Sequence, residues 1–305
     1  MATTAPTSTR TSTTVNTQPA MPARQRAGRL RQGRSLGLLL AFLVLLLGAI
    51  TQLAPLLYMV STSLKDQQGI FSLPIRWIPD PIRWGNYEQV WSQISLWRGF
   101  ANSLLIASTT TLTEVLVSAA AGYAFARMKF PGRQAMFMVL LATMMIPGVV
   151  TLIPSFILFR WLGWINTYWP LIVPLFFGTA FAIFLSRQFF LTLPGELEDA
   201  AKIDGANPLQ TFWFIFLPLA TPILATLAGL GFIARWNDYL GPLIYLSDQR
   251  KYTIPLMLAQ LNGLYERRWD LLMAGSVIAI VPIVLILLFM QKYFVESVAT
   301  TGLKG

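Results

Sequence analysis

Few residues of this chain could carry out catalysis. The sequence contains no cysteine and no histidine, which excludes disulfides, thiolate nucleophiles, Cys/His metal sites and the usual general base near neutral pH. No segment matches G-x-x-x-x-G-K-[ST], so the chain has no phosphate-binding loop of its own. We therefore expect no catalytic residue, metal or cofactor in this chain. If ATP drives its work, another subunit must bind the ATP.

Glu114 is the one acidic residue inside a long apolar stretch. A carboxylate within a membrane span is costly and therefore suggests a function. It could line a solute path or relay protons. Alternatively, it is a protonated or threonine-bonded carboxyl that packs inside a helix bundle without touching solute. The nearby hydroxyls belong to Thr109, Thr110, Thr111 and Thr113.

The composition indicates a polytopic membrane protein. Of 305 residues, 55% are hydrophobic and only 12% are charged, about half the charged fraction of a soluble protein. The charges are also unevenly spread, and long stretches have none. A net charge of +10 could indicate nucleic-acid binding, but the basic residues flank apolar segments instead of forming a basic patch. We expect the lipid bilayer, and no nucleic acid, as the partner of these surfaces.

Six apolar stretches predict an all-α protein with six transmembrane helices, each about 20 residues long. The first is too long for a signal-peptide core, so we expect it to remain uncleaved. Prolines within several stretches predict bends. The six spans are expected at about 36–60, 100–125, 135–159, 168–189, 215–233 and 271–291.

These stretches divide the chain into four regions. We expect a disordered, basic cytoplasmic tail at 1–34, since it is rich in Ser, Thr and Arg and nearly without large apolar residues. The first helix and an outer loop follow at 35–98. The membrane core covers 99–291 and includes a cytoplasmic loop at 190–218. A short cytoplasmic tail at 292–305 ends the chain.

Basic residues favour an orientation with both termini inside. With that orientation, cytoplasmic segments hold 13 Lys and Arg and outer segments hold 10. Eight tryptophans, including Trp236, then fall in or beside outer segments, where we expect them to anchor spans at the interface. Asn237 and Asp238 follow the fifth stretch at its outer end. For these two, docking of a partner or a structural role is favoured over solute contact.

The loop at 190–218 reads as a short helix, a break and a second helix. Pro194 suits a first turn, and acidic residues at the helix start complement its dipole. Gly205 is a natural C-terminal cap, after which Asn207-Pro208 restarts the chain. The residues leave two interpretations open: Ala200 and Ala201 form a small face that docks into a partner's groove, or the helix lies on the membrane surface.

The spacing D-A-A-x3-G-x9-I-x-L-P in this loop resembles the EAA loop of binding-protein-dependent ABC importer permeases. Asp199 replaces the usual Glu and keeps the charge on a shorter side chain. The matching residues are Asp199, Ala200, Ala201, Gly205, Ile215, Leu217 and Pro218.

Other stretches are similar to the carbohydrate-uptake branch of that family, and in particular to its maltose-type subunit. They are Asn102-Ser103-Leu104, Ala124-Phe125-Ala126-Arg127, Trp236-Asn237-Asp238-Tyr239 and the C-terminal stretch from Gln291 to Gly305. The resemblance covers residues 36–305.

The resemblance implies a type I ABC importer permease (MetI-like) fold in a bacterial or archaeal cytoplasmic membrane. It implies a second permease subunit, two ABC ATPase subunits that hold ATP and Mg, and an extracytoplasmic solute-binding protein that delivers a sugar or sugar-like solute. Gly302–Gly305 would be a weaker contact with the ATPase pair. The residues implied in ATPase coupling are Glu198, Asp199, Ala200, Ala201, Asp204, Gly205, Ile215, Leu217 and Pro218.

Two other functions compete with a permease subunit. An ion-coupled secondary transporter could use Glu114, but it should show paired inverted repeats and further coupling charges in mid-membrane. A polytopic membrane enzyme should show clustered catalytic side chains at a membrane face, and none is evident in the sequence.

Overall fold

The computed structural model describes residues 23–263 and 267–302. Within them it contains helices and no β-strand, apart from one isolated antiparallel bridge between Asn262 and Arg267. The helices are α1 (Ala23–Ser63), α2 (Gln67–Ile70), α3 (Gly85–Gln93), α4 (Leu96–Arg127), α5 (Arg133–Thr143), α6 (Gly148–Trp161), α7 (Trp169–Ile172), α8 (Ala180–Thr192), α9 (Glu196–Ile203), α10 (Pro208–Thr211), α11 (Leu217–Leu219), α12 (Thr221–Trp236), α13 (Leu240–Tyr245), α14 (Ile254–Ala259) and α15 (Trp269–Gly302). Two 3₁₀ turns (Val173–Phe177, Gln249–Lys251) and a π turn (Phe212–Phe216) complete them.

The chain divides into two units, residues 1–57 and 58–305. In the first unit the helix begins at Ala23, so the backbone of residues 23–34 is helical where we predicted disorder. Ala, Arg, Gln and Leu dominate this stretch and all favour helix, which lets α1 extend ahead of its apolar part. The remainder of the predicted tail, residues 1–22, lies outside the described residues, as do residues 303–305 of the C-terminal tail.

Among the described residues, four segments are long and apolar enough to cross a membrane: Gly37–Ser63, Leu96–Arg127, Trp169–Thr192 and Trp269–Lys292. Two further candidates are bent pairs. α5 and α6 meet at 98°, and the segment Pro208–Leu219 meets α12 at 77°. Pro147 and Pro222 lie at these two breaks, as expected of a residue that lacks an amide hydrogen.

In the second unit, α4 is the central helix and packs against α8 and α12. Its contact with α8 is close because Gly122 has no side chain: a Cβ there would lie 2.5 Å from the Cβ of Ser186. Successive contacts pair Ser118 with Gly178 and Gly122 with Ser186, so α4 and α8 run in the same direction. The C-terminal end of α4 therefore lies beside the C-terminal end of α8, which leads directly into α9.

Trp236 corrects one expectation. It was predicted to anchor a span at the membrane interface, but only 1% of it is exposed. Its indole nitrogen donates to the carbonyl of Ala279 at 3.0 Å, and its ring packs against Phe100 and Phe232. Trp236 thus belongs to the core that joins α12 to α4 and α15.

Candidate functional site: a loop helix and a buried ion pair

The ends of the loop helix α9 are determined by residues in and next to the helix. It begins at Glu196, two residues after Pro194, so the proline precedes the helix instead of lying in its first turn. Glu196, Glu198 and Asp199 lie in the first turn, where negative charge complements the helix dipole. Lys202 pairs with Glu198 at 3.0 Å, one helical turn away.

Gly205 ends α9, which confirms the predicted cap. Its φ is +81°, a left-handed conformation that favours glycine. The amide of Ala206 donates to the carbonyl of Ala201 at 2.9 Å, and the amide of Gly205 donates to that of Lys202 at 3.1 Å. These two bonds form a Schellman motif, which satisfies carbonyls that the helix end leaves free.

Asn207 starts the next helix with a reciprocal capping box. Its side chain accepts from the Gln210 amide, and the Gln210 side chain accepts from the Asn207 amide, both at 2.9 Å. A π turn follows, in which the Leu217 amide donates to the carbonyl of Phe212, five residues back. Pro218 comes next and cannot donate, which favours such an irregular turn.

Ala200 and Ala201 do not form one exposed small face on α9, as we had predicted, because they lie on different sides of the helix. Ala201 is only 2% exposed and packs inside the unit, while Ala200 faces outward. The outward face also carries Ile203, which is 86% exposed, and Leu209 in α10 is 65% exposed. We did not predict these two apolar side chains, because a sequence without a fold does not show which apolar residues stay uncovered.

An aromatic cluster supports the inner side of the loop. Tyr123, Phe190, Phe212 and Phe216 pack together with ring centroids 5.1–6.5 Å apart. Phe190 and Phe216 are fully buried, and Ile215 and Leu217 pack partly buried against the same core. The loop is therefore attached to the ends of α4 and α8 by a dense core.

Arginines connect the same two helix ends. The Arg127 guanidinium donates from Nε at 3.1 Å and from Nη2 at 2.6 Å to the carbonyl of Phe190, and it also donates to the carbonyl of Leu193. Arg187 reciprocates from α8 by donating to the carbonyl of Phe125 at 3.3 Å. Each arginine thus caps the C-terminus of the neighbouring helix, where a positive charge is favourable.

Glu114 lies in a second polar site, where three elements meet. Its Oε1 accepts a 2.6 Å hydrogen bond from Thr179 at the start of α8, and its Oε2 lies 3.3 Å from Nη2 of Arg235 on α12. The carboxylate side chain is 9% exposed and that of Arg235 is 25% exposed. Glu114 is therefore hydrogen-bonded to a threonine, but to one at the start of α8 and not to one of the four on its own helix, and it also forms an ion pair.

Arg235 is the residue that the sequence did not reveal as a partner. It lies 121 positions away and was counted among outer basic residues. Nearby, the buried Thr111 Oγ1 and Arg235 Nε have no hydrogen-bond partner within the described part of the chain. The pair joins α4, the break at Gly178 and the last turn of α12.

Asn237 and Asp238 make local structural contacts. The Asn237 side chain donates to the carbonyl of Ile233 at 2.9 Å, and the Asp238 carboxylate accepts from the Gly241 amide at 3.1 Å. Both contacts shape the turn between α12 and α13. Among the described residues, no group of three or more acidic side chains could hold a metal ion.

Residues 114–300 match the family described as the binding-protein-dependent transport system inner membrane component. The match covers more than half of the chain and includes the whole of α9, Gly205 and the turn to Pro218. The chain belongs to this family. It is accordingly a membrane-embedded transport subunit and not an ATPase or another enzyme.

Individual relatives agree with the family match along most of the chain. The chain is 37% identical over 270 residues to the probable ABC transporter permease protein YurM of Bacillus subtilis, and the alignment covers 87% of each protein. It is 37% identical over 254 residues to the arabinooligosaccharides transport system permease protein AraQ of Halalkalibacterium halodurans, which covers 82% of this chain and 91% of that relative.

A solved structure has the same fold. It belongs to a bacterial ABC transporter involved in the import of the acidic polysaccharide alginate, and its superposition has a TM-score of 0.71 with 26% sequence identity. The match covers 91% of this chain and all of the other. These comparisons confirm the expected permease family, and they give no support to an ion-coupled transporter that uses Glu114.

Proposed function

We propose that this permease is the membrane subunit of an ABC importer for a sugar or sugar-like solute, and that α9 is its coupling helix. The coupling role of α9 is supported by the difference in exposure between its two faces. Ala201 is buried against the unit, whereas Ile203 is 86% exposed on the far side. An exposed isoleucine on a solvent-side helix suits a groove on a partner, because burying it removes apolar surface from water.

The contacts beneath α9 explain how movement would reach the membrane spans. An ATPase subunit that moves α9 also moves Phe212 and Phe216, and these rings are packed on Tyr123 of α4 and Phe190 of α8. Dense cores transmit displacement because they have little free volume to absorb it. Asp199 and Asp204 would add charge at the rim of the contact, Glu198 would hold Lys202 beside it, and Gly205 would set the angle at which the chain leaves it.

We infer six spans, with each bent pair crossing the membrane once and both termini in the cytoplasm. The excess of basic residues in the resulting cytoplasmic segments supports this orientation. It places α9 in the cytoplasm, where the two ATPase subunits would bind ATP and Mg. The location would be the cytoplasmic membrane of a bacterium or archaeon.

A second permease subunit would complete the pathway, and an extracytoplasmic binding protein would deliver solute. Side chains of α4 that point away from its own unit stay exposed, among them Leu104, Leu105 and Leu112. A second permease or lipid would cover them. The sugar class is supported by the relative that transports arabinooligosaccharides and by the structural neighbour involved in alginate import.

Single cysteines test the coupling helix directly, because the native chain has none. We would purify the chain with its partner subunits and compare Ile203→Cys with Trp97→Cys, which is also exposed but lies in a predicted outer segment. In whole cells, a membrane-impermeant maleimide should label position 97 and leave position 203 unlabelled. In the purified complex, a bifunctional cross-linker should join position 203 alone to a subunit with ATPase activity.

Labelling of position 203 from outside would refute the orientation. A co-purified ATPase that never cross-links to position 203 would refute the coupling helix. Solute-dependent ATP hydrolysis by the reconstituted complex, measured with a panel of sugars and sugar phosphates, tests the importer itself.

A further inference from the structure

A cavity of about 340 Å³ separates the end of α4 from the loop that contains α9. Its walls come from the last turn of α4 with the two residues that follow it, from the inner side of α9, and from the start of α10. The lining residues are Tyr123, Arg127, Met128, Lys129, Glu198, Lys202, Ala206, Pro208 and Thr211. Met128, Lys129 and Pro208 are exposed, so the cavity is accessible from the surface.

The lining is strongly basic. Arg127, Lys129 and Lys202 contribute three positive charges against the single carboxylate of Glu198, and that carboxylate is already paired with Lys202 at 3.0 Å. No carboxylate of the described residues lies within 4.0 Å of the charged nitrogens of Arg127 or Lys129. Among the lining residues the positive charges exceed the negative ones by two. The carboxylate of Asp199, which does not line the cavity, lies 3.9 Å from the ammonium of Lys202, and a bound anion would neutralise the charge that remains.

The side chain of Tyr123 is a second, independent observation at this cavity. Tyr123 is 4% exposed and lines the cavity. Its ring packs in the aromatic cluster. Its hydroxyl oxygen is not among the fully buried atoms that lack a partner, so it is open to the cavity, where an oxygen of a bound anion could accept its hydrogen.

We infer that this cavity binds a phosphate group. A phosphate monoester or diester offers several acceptor oxygens, which match the ammonium groups of Lys129 and Lys202 and the hydroxyl of Tyr123. Arg127 already donates to two carbonyls, and it contributes its charge. The group can come from the headgroup of an anionic lipid or from a soluble phosphorylated metabolite.

A phosphate held here would contact both the end of a membrane span and the inner face of α9. It would thereby fix the position of the loop relative to α4. Only this consequence depends on the proposed function of α9 as a coupling helix. The binding site itself depends on the charges, the cavity and the hydroxyl of Tyr123.

The test uses the full chain purified with its partner subunits in a neutral detergent. Native mass spectrometry counts retained phosphatidylglycerol against phosphatidylcholine, and an equilibrium assay measures the affinity for glycerol phosphate. The variants are Lys129→Gln, Lys202→Gln and the conservative Tyr123→Phe. Lys292→Gln is the matched control, since this exposed lysine lies on α15 and does not line the cavity.

Each lysine variant should lower the affinity for the phosphate group by about tenfold, because a charge-assisted hydrogen bond is lost, and Tyr123→Phe should lower it severalfold. Lys292→Gln should have the affinity of the wild type. If phosphatidylglycerol retention falls in the lining variants, the source is lipid. If only glycerol phosphate binding falls, the source is soluble.

Equal binding of both probes to the wild type and all lining variants would overturn the inference. So would a loss of the ATPase subunit from Lys129→Gln and Lys202→Gln with phosphate binding unchanged, since an acidic side chain of that subunit would then occupy the cavity. Solute-stimulated ATP hydrolysis by the wild-type complex is measured separately, so the failure of this inference is distinguishable from the failure of the proposed function.

Discussion

The pair between Glu114 and Arg235 allows a quantitative test of how the spans are held together. Arg235→Met removes the guanidinium while retaining much of the side-chain volume, and it leaves the Glu114 carboxylate with only the hydrogen bond from Thr179. Glu114→Gln removes the opposite charge and retains an oxygen that accepts the same bond. The double variant removes both charges.

The geometry sets the size of the effect. At 3.3 Å between Nη2 and Oε2, the attraction is about 5 kcal/mol for an effective dielectric constant of about 20. Much of it is offset because both groups lose hydration. Removing one partner of such a buried pair typically costs about 3–5 kcal/mol. Since Arg235 is 25% exposed, we expect the lower end, about 3 kcal/mol, for each single variant and about 1 kcal/mol for the double variant.

The free energy of unfolding is measured in mixed micelles for the wild type, the three variants and Arg160→Met. Arg160 is an exposed arginine in the last turn of another helix, and its variant should differ from the wild type by less than about 0.5 kcal/mol. If the double variant were destabilised by the sum of the two single effects, the side chains would not be coupled, and the ion pair would have no energetic role.

Three further predictions concern the loop at 190–218, the contact between α4 and α8, and the loop that contains Asp248. Gly205→Asp should insert normally yet abolish solute uptake, because a carboxylate at this position, whose φ is +81°, would lie in the docking surface. Gly122→Ala should lower the free energy of unfolding by about 1–3 kcal/mol, because its Cβ would lie 2.5 Å from Ser186 Cβ and 2.8 Å from a backbone nitrogen. Arg250 lowers the pKa of Asp248 from 3.8 to about 2, so the stability from this pair should be present above about pH 4 and disappear as the pH falls towards 2.

Matched substitutions distinguish these specific effects from a general loss of stability or folding. Gly205→Asn tolerates a left-handed backbone without adding charge, so uptake by this variant should be partly retained. Normal uptake by Gly205→Asp would contradict the coupling role. Gly148→Ala meets nothing within 4 Å and should be neutral, and a neutral Gly122→Ala would refute the close packing of α4 on α8. Asp248→Asn should flatten acid unfolding between pH 4 and 2, and an unchanged profile would contradict the assigned pair.

The loop at 190–218 was predictable because its signals are local. Acidic residues that start a helix, a glycine that ends it and an Asn-Pro that restarts it act within a few residues, and the structure places α9, Gly205 and the Asn207 capping box accordingly. The sequence did not show which face of α9 would be buried and which would be exposed. Ala200 and Ala201 are adjacent and chemically identical, but only Ala201 is buried, one helical turn from Leu197, which packs on the aromatic cluster.

The sequence by itself determined the membrane class, the apolar segments, the lack of a phosphate-binding motif and the family, since these depend on composition and on motifs of short range. The tertiary structure alone decided that Glu114 pairs with Arg235, that Trp236 lies in the core, and that Arg127 and Arg187 cap each other's helices. It also decided that Lys129 and Lys202 face one cavity. The hydrogen-bonded partners lie between 43 and 121 positions apart, and the two lysines lie in separate elements, one after α4 and one on α9. Such pairs have no periodic signal in the chain, because the packing of α4 with α8, α12 and the loop is what brings them together.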